Sequence, residues 1–315
     1  MQLMIKEIAL DPRLFAQWPH HKALRDAFGV EKGRVISAFP KKWRRHVREE
    51  VSRLEGLGEI GSVKAQSILQ WLDVLPGTHE MRMVASKVGY DGSKGWHLNA
   101  TDAWQSFDAI LSAKKIETPN AILADEDQEY LRDPRFAAET RRPVQRRKKP
   151  IVDCVWPLLR GSKELRLVEP HFNPHKARFR DVLEALLDRL HAEESLIREI
   201  ALHVRHPQDK NPNDLAPPSF TIEELKANLS PLLRTGWSLR VHLWTRGREK
   251  MHPRYLLTDR GGIQIDYGWD EGELDTETTP IMLLPHADWE REMRRYQPGS
   301  PDFTMDAVSD IVVIK

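Results

Sequence analysis

His252, Arg254 and Asp259 are the residues whose types and spacing point most directly to chemistry. They spell His-x-Arg, four residues, then Asp, within the stretch 251–269, MHPRYLLTDRGGIQIDYGW. The stretch reads as a β-hairpin, with HPRYLLTD as one strand, Arg260-Gly261-Gly262 as the turn and IQIDYGW as the return strand. On a strand, residues two apart share a face, so His252 and Arg254 are expected side by side. That pair suits a phosphate ester. The planar guanidinium holds two phosphoryl oxygens, while the imidazole attacks phosphorus or moves a proton. Asp259 has a structural alternative, because an acid beside a Gly-Gly turn commonly satisfies backbone amides.

The hairpin resembles the signature of the phospholipase D-like superfamily, His-x-Lys-x4-Asp followed by Gly-Ser-x-Asn. Arg254 stands where that signature has Lys, and Asp266-Tyr267-Gly268-Trp269 occupies the Gly-Ser-x-Asn region. The same stretch is similar to the phospholipase D-like C-terminal domain of microtubule-interacting-and-transport proteins, a group with a His-x-Arg-x4-Asp hairpin that uses the fold for binding. Glu169-Pro170-His171-Phe172 resembles that group's acidic-Pro-aromatic element. The resemblance covers roughly residues 150 to 315. It implies a metal-independent phosphodiesterase acting on nucleic acid through a phosphohistidine, with no cofactor. A role in defence against phage or foreign DNA is expected by analogy, because this fold often serves there. Hydrolysis in the superfamily needs two such motifs. A chain with one is therefore expected to act as a homodimer, His252 and Arg254 of two copies meeting in a shared cleft. The alternative is a catalytically silent module that uses the same groove to bind nucleic acid, protein or phospholipid.

Sites in α/β sheets form at strand ends, which makes Glu169, His171 and Asn173 secondary candidates. A pairing of His171 with His252 would remove the need for a second copy, against the plainer reading of His171 as a satisfied surface histidine. Arg246, Arg248 and Lys250 precede the hairpin and are placed to receive a polyanion. His171 and His175 are four apart, but Pro174 breaks the helix that a zinc-binding His pair would need, so no metal is expected. Tyr267 and Trp269 are expected to pack.

The elements that would carry these residues alternate from Ile151 onward. Glu164 to Val168 reads as a strand, and Ala177 to Glu193 as a helix with Phe179, Val182, Leu183, Leu186, Leu187 and Leu190 on its buried face. Arg198 to Val204 is a second strand. Asn211 to Pro218 is a loop, and Thr221 caps a helix with Glu223 and Glu224 in its first turn. Ser238 to Trp244 is a third strand, Asp288 to Tyr296 an exposed helix and Ile311 to Ile314 a closing strand. This predicts a mixed sheet covered by helices on both faces. Residues 1–140 read as mainly α-helical, with helices expected around Leu24 to Phe28, from Trp43 through Leu54, over Ser67 to Leu75 and over Asp102 to Ala113. Met81 to Val84 fits strand or helix. Residues 141–150, with six cations and two prolines, read as a linker, or as a nucleic-acid arm through Arg146, Arg147, Lys148 and Lys149.

A second basic tract, Lys41-Lys42-Trp43-Arg44-Arg45-His46-Val47-Arg48, places five cations in eight residues, with Trp43 and Val47 four apart. Lys41, Lys42, Arg44, Arg45 and Arg48 fit phosphate-backbone contact, or else a solvated face neutralised by Glu49, Glu50 and Glu55. With 48 Lys and Arg against 47 Asp and Glu, any basic surface must be local. The single cysteine, Cys154, excludes an intramolecular disulfide and fits a reducing, cytoplasmic setting. The start of the chain has charges at Lys6, Glu7 and Asp11 and does not read as a signal peptide, and no run of about twenty apolar residues predicts a membrane span.

Overall fold

Five short strands organise the first half of the chain. The structure, a computed structural model, describes residues 5–206, 220–246, 251–300 and 302–314. The chain divides into two units, Ile5–Thr140 and Arg141–Lys315. In the first, β1 (Lys6–Leu10), β2 (Arg34–Ala38), β3 (Met83–Ala85), β4 (Ala109–Ser112) and β5 (Ala121–Leu123) form a parallel sheet in the order β3-β2-β1-β4-β5. Helices α1 (Pro12–Ala16), α2 (Trp18–Leu24), α3 (Trp43–Gly56), α4 (Ser62–Arg82) and α5 (Trp96–Asp102) connect the strands.

Successive strand residues feed two different cores. Ile8, Leu10, Ala109 and Leu111 join Phe15, Trp43, Val47 and Val51, whereas Ala9 and Ile110 join Phe39, Trp96, Ala100 and Phe107. Helices therefore cover both faces, as parallel sheets require. The indole of Trp43 donates to the Leu10 carbonyl at 2.7 Å and fastens the start of α3 to the end of β1.

This corrects the expectation of a mainly helical first domain. β1, β2 and β4, four or five residues long and buried on both sides, show no alternation, and β3 and β5 have three residues each, so periodicity cannot separate them from helix. The error is sharpest at Asp102 to Ala113, expected as one helix: α5 ends at Asp102 and Ala109–Ser112 is the strand next to β1. The expected helix from Trp43 is present, with Trp43, Val47, Val51 and Leu54 buried, and Ser67 to Leu75 falls within α4.

The second unit is a mixed sheet. Its elements are β6 (Arg141–Gln145), α6 (Lys148–Leu159), β7 (Leu165–Val168), α7 (Ala177–Ala192), β8 (Glu199–Arg205), α8 (Ile222–Leu229), β9 (Ser238–Arg246), β10 (Arg254–Thr258), β11 (Gly261–Ile265), β12 (Thr278–Leu283), α9 (His286–Arg295) and β13 (Phe303–Ile314). The strand order is β13-β9-β8-β7-β10-β11-β12-β6. β7, β8 and β9 are parallel, and the other neighbours are antiparallel. Phe179, Val182, Leu183 and Leu186 of α7 meet Leu167 and Leu202 on one face. Trp289 and Met293 of α9 pack against Val168, Tyr255 and Leu257 on the other. Thr221 and Glu224 form a reciprocal capping box at the start of α8.

Residues 141–150 are not a linker. Arg141–Gln145 pairs with β12 as the edge strand, and α6 begins at Lys148. Prolines and cations are what edge strands tolerate, because one side of the ladder needs no donor and charge blocks further pairing. The hairpin turn is Asp259-Arg260, one residue earlier than expected, since Thr258 pairs with Gly261. Gly262 lies inside β11, where a Cβ would come within 2.7 Å of a Leu284 methyl and 2.9 Å of a Leu257 methyl, so the packing there favours glycine. Asn211 to Pro218 lies outside the described residues. Among the described residues, no helix is long and apolar enough to cross a membrane.

One buried titratable group gives the first unit an acid limit. His21 is fully buried, its ring 4.8 Å from Phe15, 5.8 Å from Trp71 and 5.9 Å from Trp18. Burial, with Arg25 adding to it, pushes its pKa down to about 4. A depressed histidine contributes stability above the unfolded value near 6.5 and loses it as pH falls toward the folded value. Thermal unfolding of the wild type is expected to weaken by about 3 kcal/mol through this group between pH 6.5 and 4. His21→Phe should flatten that part of the profile, and an unchanged acid slope in the variant would contradict the assignment.

Candidate functional site

The carboxyl ends of β7, β8 and β9 and the amino end of β10 share one edge of the second sheet, since β10 runs antiparallel to β7. The same pairing rule brings the end of β11, the start of β12 and the end of β6 to that edge. Residues far apart in sequence converge there: Glu169 after β7, Arg254 opening β10, the loop Asp266–Asp270 after β11 and Arg146 after β6.

Glu169 is the centre of this convergence. It is 1% exposed. One carboxylate oxygen accepts from the His171 amide at 3.0 Å and the other from the Trp269 amide at 2.8 Å. The Arg254 Nε lies 3.7 Å away, and Arg254 Nη1 donates to the Asp266 carbonyl at 3.0 Å. Burial pushes the Glu169 pKa up, while Arg254 and the two amides act in the opposite direction. Beside it, Asp270, 2% exposed, accepts from Arg146 at 2.6 Å and faces Arg178 at 3.2 Å. Arg146 also reaches Glu277 at 3.0 Å. The edge is a neutralised network, in which three guanidinium groups are already matched by carboxylates.

The residues expected at a phosphodiester site separate under this geometry. Arg254 is at the edge but engaged. His252 precedes β10 instead of lying within it, and it is exposed. Asp259 sits at the opposite end of β10, where its carboxylate accepts from the Lys163 and Glu164 amides at 2.9 and 3.2 Å, in the structural manner. His171 is half-buried beyond Glu169, and Asn173 accepts from the His175 amide at 2.9 Å. Arg147 bonds Asp275 at 2.7 Å and the Gly272 carbonyl at 2.6 Å; Lys149 bonds Asp153 at 2.6 Å, and Lys148 is exposed. Arg246 ends β9, while Arg248 and Lys250 lie outside the described residues. Trp269 packs as expected, donating to the Tyr255 carbonyl at 3.2 Å, but Tyr267 is 61% exposed with Arg146 over its ring at 5.8 Å.

The second basic tract has a different setting. Lys41, Lys42, Arg44, Arg45 and Arg48 line a cleft of about 550 Å³ whose remaining walls are Ala38, Trp43, Met83, Val84 and Ala85. Ala38 ends β2 and Ala85 ends β3, so the cleft opens at the carboxyl edge of the parallel sheet, where open α/β sheets bind ligands. Its strands, β2 and β3, lie to one side of the point between β1 and β4 where strand order reverses. At that point Asp11 is fully buried and accepts from the Arg13 amide at 3.0 Å. Arg45 pairs with Glu49 at 2.7 Å and Arg48 pairs with Asp73, while Lys41 and Lys42 are exposed.

No protein-family model matches the chain, and no curated protein matches it. Among the described residues no group of three or more His, Cys, Asp or Glu could hold a metal ion. Cys154 is buried, and burial raises its thiol to about 11, which removes it as a nucleophile.

Sequence reasoning missed Asp270, Arg178 and Asp11. Asp270 and Arg178 gain their meaning only from partners about a hundred residues away. Asp11 follows the apolar run of β1, a position that becomes a sheet edge only once the strand is recognised. Gly268 offered the available clue at the first edge. Its φ of +122° is a conformation for glycine, and a Cβ there would lie 3.0 Å from a Glu169 oxygen and 3.1 Å from an Asp270 oxygen. Gly268→Ala should lower stability by about 1–3 kcal/mol. Gly236→Ala, also at positive φ but with open space around the new methyl, should cost less. Equal unfolding midpoints for the two variants would argue against a close-packed Glu169 loop.

Proposed function

We propose that the chain binds the phosphate backbone of nucleic acid through the cleft of its first unit. The observation that carries this reading is the clustering of Lys41, Lys42, Arg44, Arg45 and Arg48 around one opening at the carboxyl ends of β2 and β3. Their position on the helix adds weight. Lys41 and Lys42 precede the 14-residue helix α3, and Arg44 and Arg45 lie in its first turn, which carries no acid. Cations at that end oppose the helix dipole, at about 0.3–1 kcal/mol for each exposed charge. A polyanion reverses the sign, because it is attracted by both the dipole and the side chains.

Binding is tested by retention of labelled single- and double-stranded DNA and RNA at a series of salt concentrations. Lys41→Gln with Lys42→Gln should weaken retention and reduce the slope of log K against log salt by about 2, near 0.9 per lost phosphate contact. An unchanged slope in the double variant would remove the cleft from the interface.

Phosphodiester hydrolysis by His252 is the second reading. It is favoured by the exposure of that imidazole two residues before Arg254, at an edge where several strand ends converge. It is weakened by the matching of Arg254 with Glu169, which leaves less positive charge for a transition-state phosphoryl group. This reading requires two copies to meet. It predicts cleavage that survives EDTA and disappears in His252→Ala. Intact DNA and RNA after prolonged incubation would leave the binding reading alone. The defence role and any larger assembly rest on analogy with the phospholipase D-like superfamily.

A further inference from the structure

We propose that the second unit carries, on the α9 face of its sheet, a binding site for a small-molecule oxyanion, a phosphate or carboxylate group seated over Ala201 between Arg166 and Arg240. Strand register builds the site. Arg166 of β7 pairs with Ala201 of β8, which pairs with Arg240 of β9, so the three form one row across parallel strands. With neighbouring strands about 4.8 Å apart, the two arginine Cα atoms stand roughly 10 Å apart, with only a methyl group between them. The space this leaves is a cavity of about 480 Å³, lined also by Glu199, His203, His242 and Tyr296.

Two features point to an acceptor ligand. Arg166 Nη1 donates to the carbonyls of Met293 and Tyr296 at 2.8 and 2.9 Å, which fixes this guanidinium at the cavity wall. His203, two residues along the strand from Ala201 and on the same face, is 1% exposed and stacks on His242 with ring centroids 4.8 Å apart. Its Nδ1 accepts from the Trp244 indole at 2.9 Å, so the neutral ring carries its proton on Nε2. That Nε2 is buried and meets no hydrogen-bond partner. A buried donor without an acceptor is costly, and a ligand oxygen brought within its reach would remove the cost. Burial, together with His242 and Arg166, holds the His203 pKa well below its usual value, so the ring stays a neutral donor at physiological pH. Glu199, 3.0 Å from Arg240, and Glu164, 3.5 Å from Arg166, balance the two guanidinium charges; both carboxylates are 58% exposed and can turn outward to make way for a single anionic group.

The test uses the full chain, titrated by calorimetry with inorganic phosphate and separately with succinate, at ionic strength held constant with sodium chloride. Saturable binding of at least one anion is expected, and which one binds identifies the source of the oxyanion. Ala201→Leu fills the space and should abolish it. Arg240→Gln, at a partly exposed side chain, should weaken it about tenfold and serves if leucine at 201 disturbs the sheet. Binding should persist in the Lys41→Gln/Lys42→Gln variant, which separates this site from the cleft at α3. Absence of saturable binding, or equal affinity in wild type and both site variants, overturns the proposal.

Discussion

A buried carboxylate holds the converging strand ends of the second unit together. Glu169 ties the end of β7 to the start of β10 and to the loop after β11, using two backbone amides and one guanidinium. An acid removed from water in this way is tolerated only while its partners stay in place. Losing one side of such a pair typically costs about 3–5 kcal/mol, because the other charge is then buried alone. The loop geometry, including the positive φ of Gly268, follows from the need to bring the Trp269 amide onto that oxygen. What looks from the motif like a reactive arginine is therefore first a structural counter-ion.

The distribution of charge, rather than its sum, separates the two units. At the edge around Glu169, Arg146, Arg178 and Arg254 meet Asp270, Glu277 and Glu169 within the fold. Around α3, Arg45 and Arg48 have acidic partners, but Lys41 and Lys42 project beside the helix start. A net charge of +1 hides this asymmetry. An anion approaching the first edge must displace buried carboxylates, whereas at the second Lys41 and Lys42 are exposed and the carboxylates paired with Arg45 and Arg48 are themselves on the surface.

The sheet registers explain where open space survives. In the first unit, apolar clusters fill both faces of the sheet, and the basic cleft opens at the strand ends. In the second, α9 packs against Val168, Tyr255 and Leu257, and the small side chain of Ala201 leaves a gap farther along the same face, walled by arginine and histidine.

Much of the second unit was legible in the sequence: the β7–α7–β8 alternation, the capping box at Thr221, the hairpin and the mixed sheet all follow from local periodicity and turn chemistry. The six apolar positions of α7 are buried as their spacing requires. Local signals failed where burial is two-sided, as in β1, β2 and β4, and where a cationic proline-bearing segment became an edge strand. The motif His252, Arg254 and Asp259 marked a real hairpin, yet its three members take different places: one exposed, one ion-paired and one binding turn amides at the far end of the strand. Sequence determined which residue types were present and which elements they favour. Only the tertiary structure decided which cations are neutralised, because ion pairing depends on strand register and on contacts between residues a hundred positions apart.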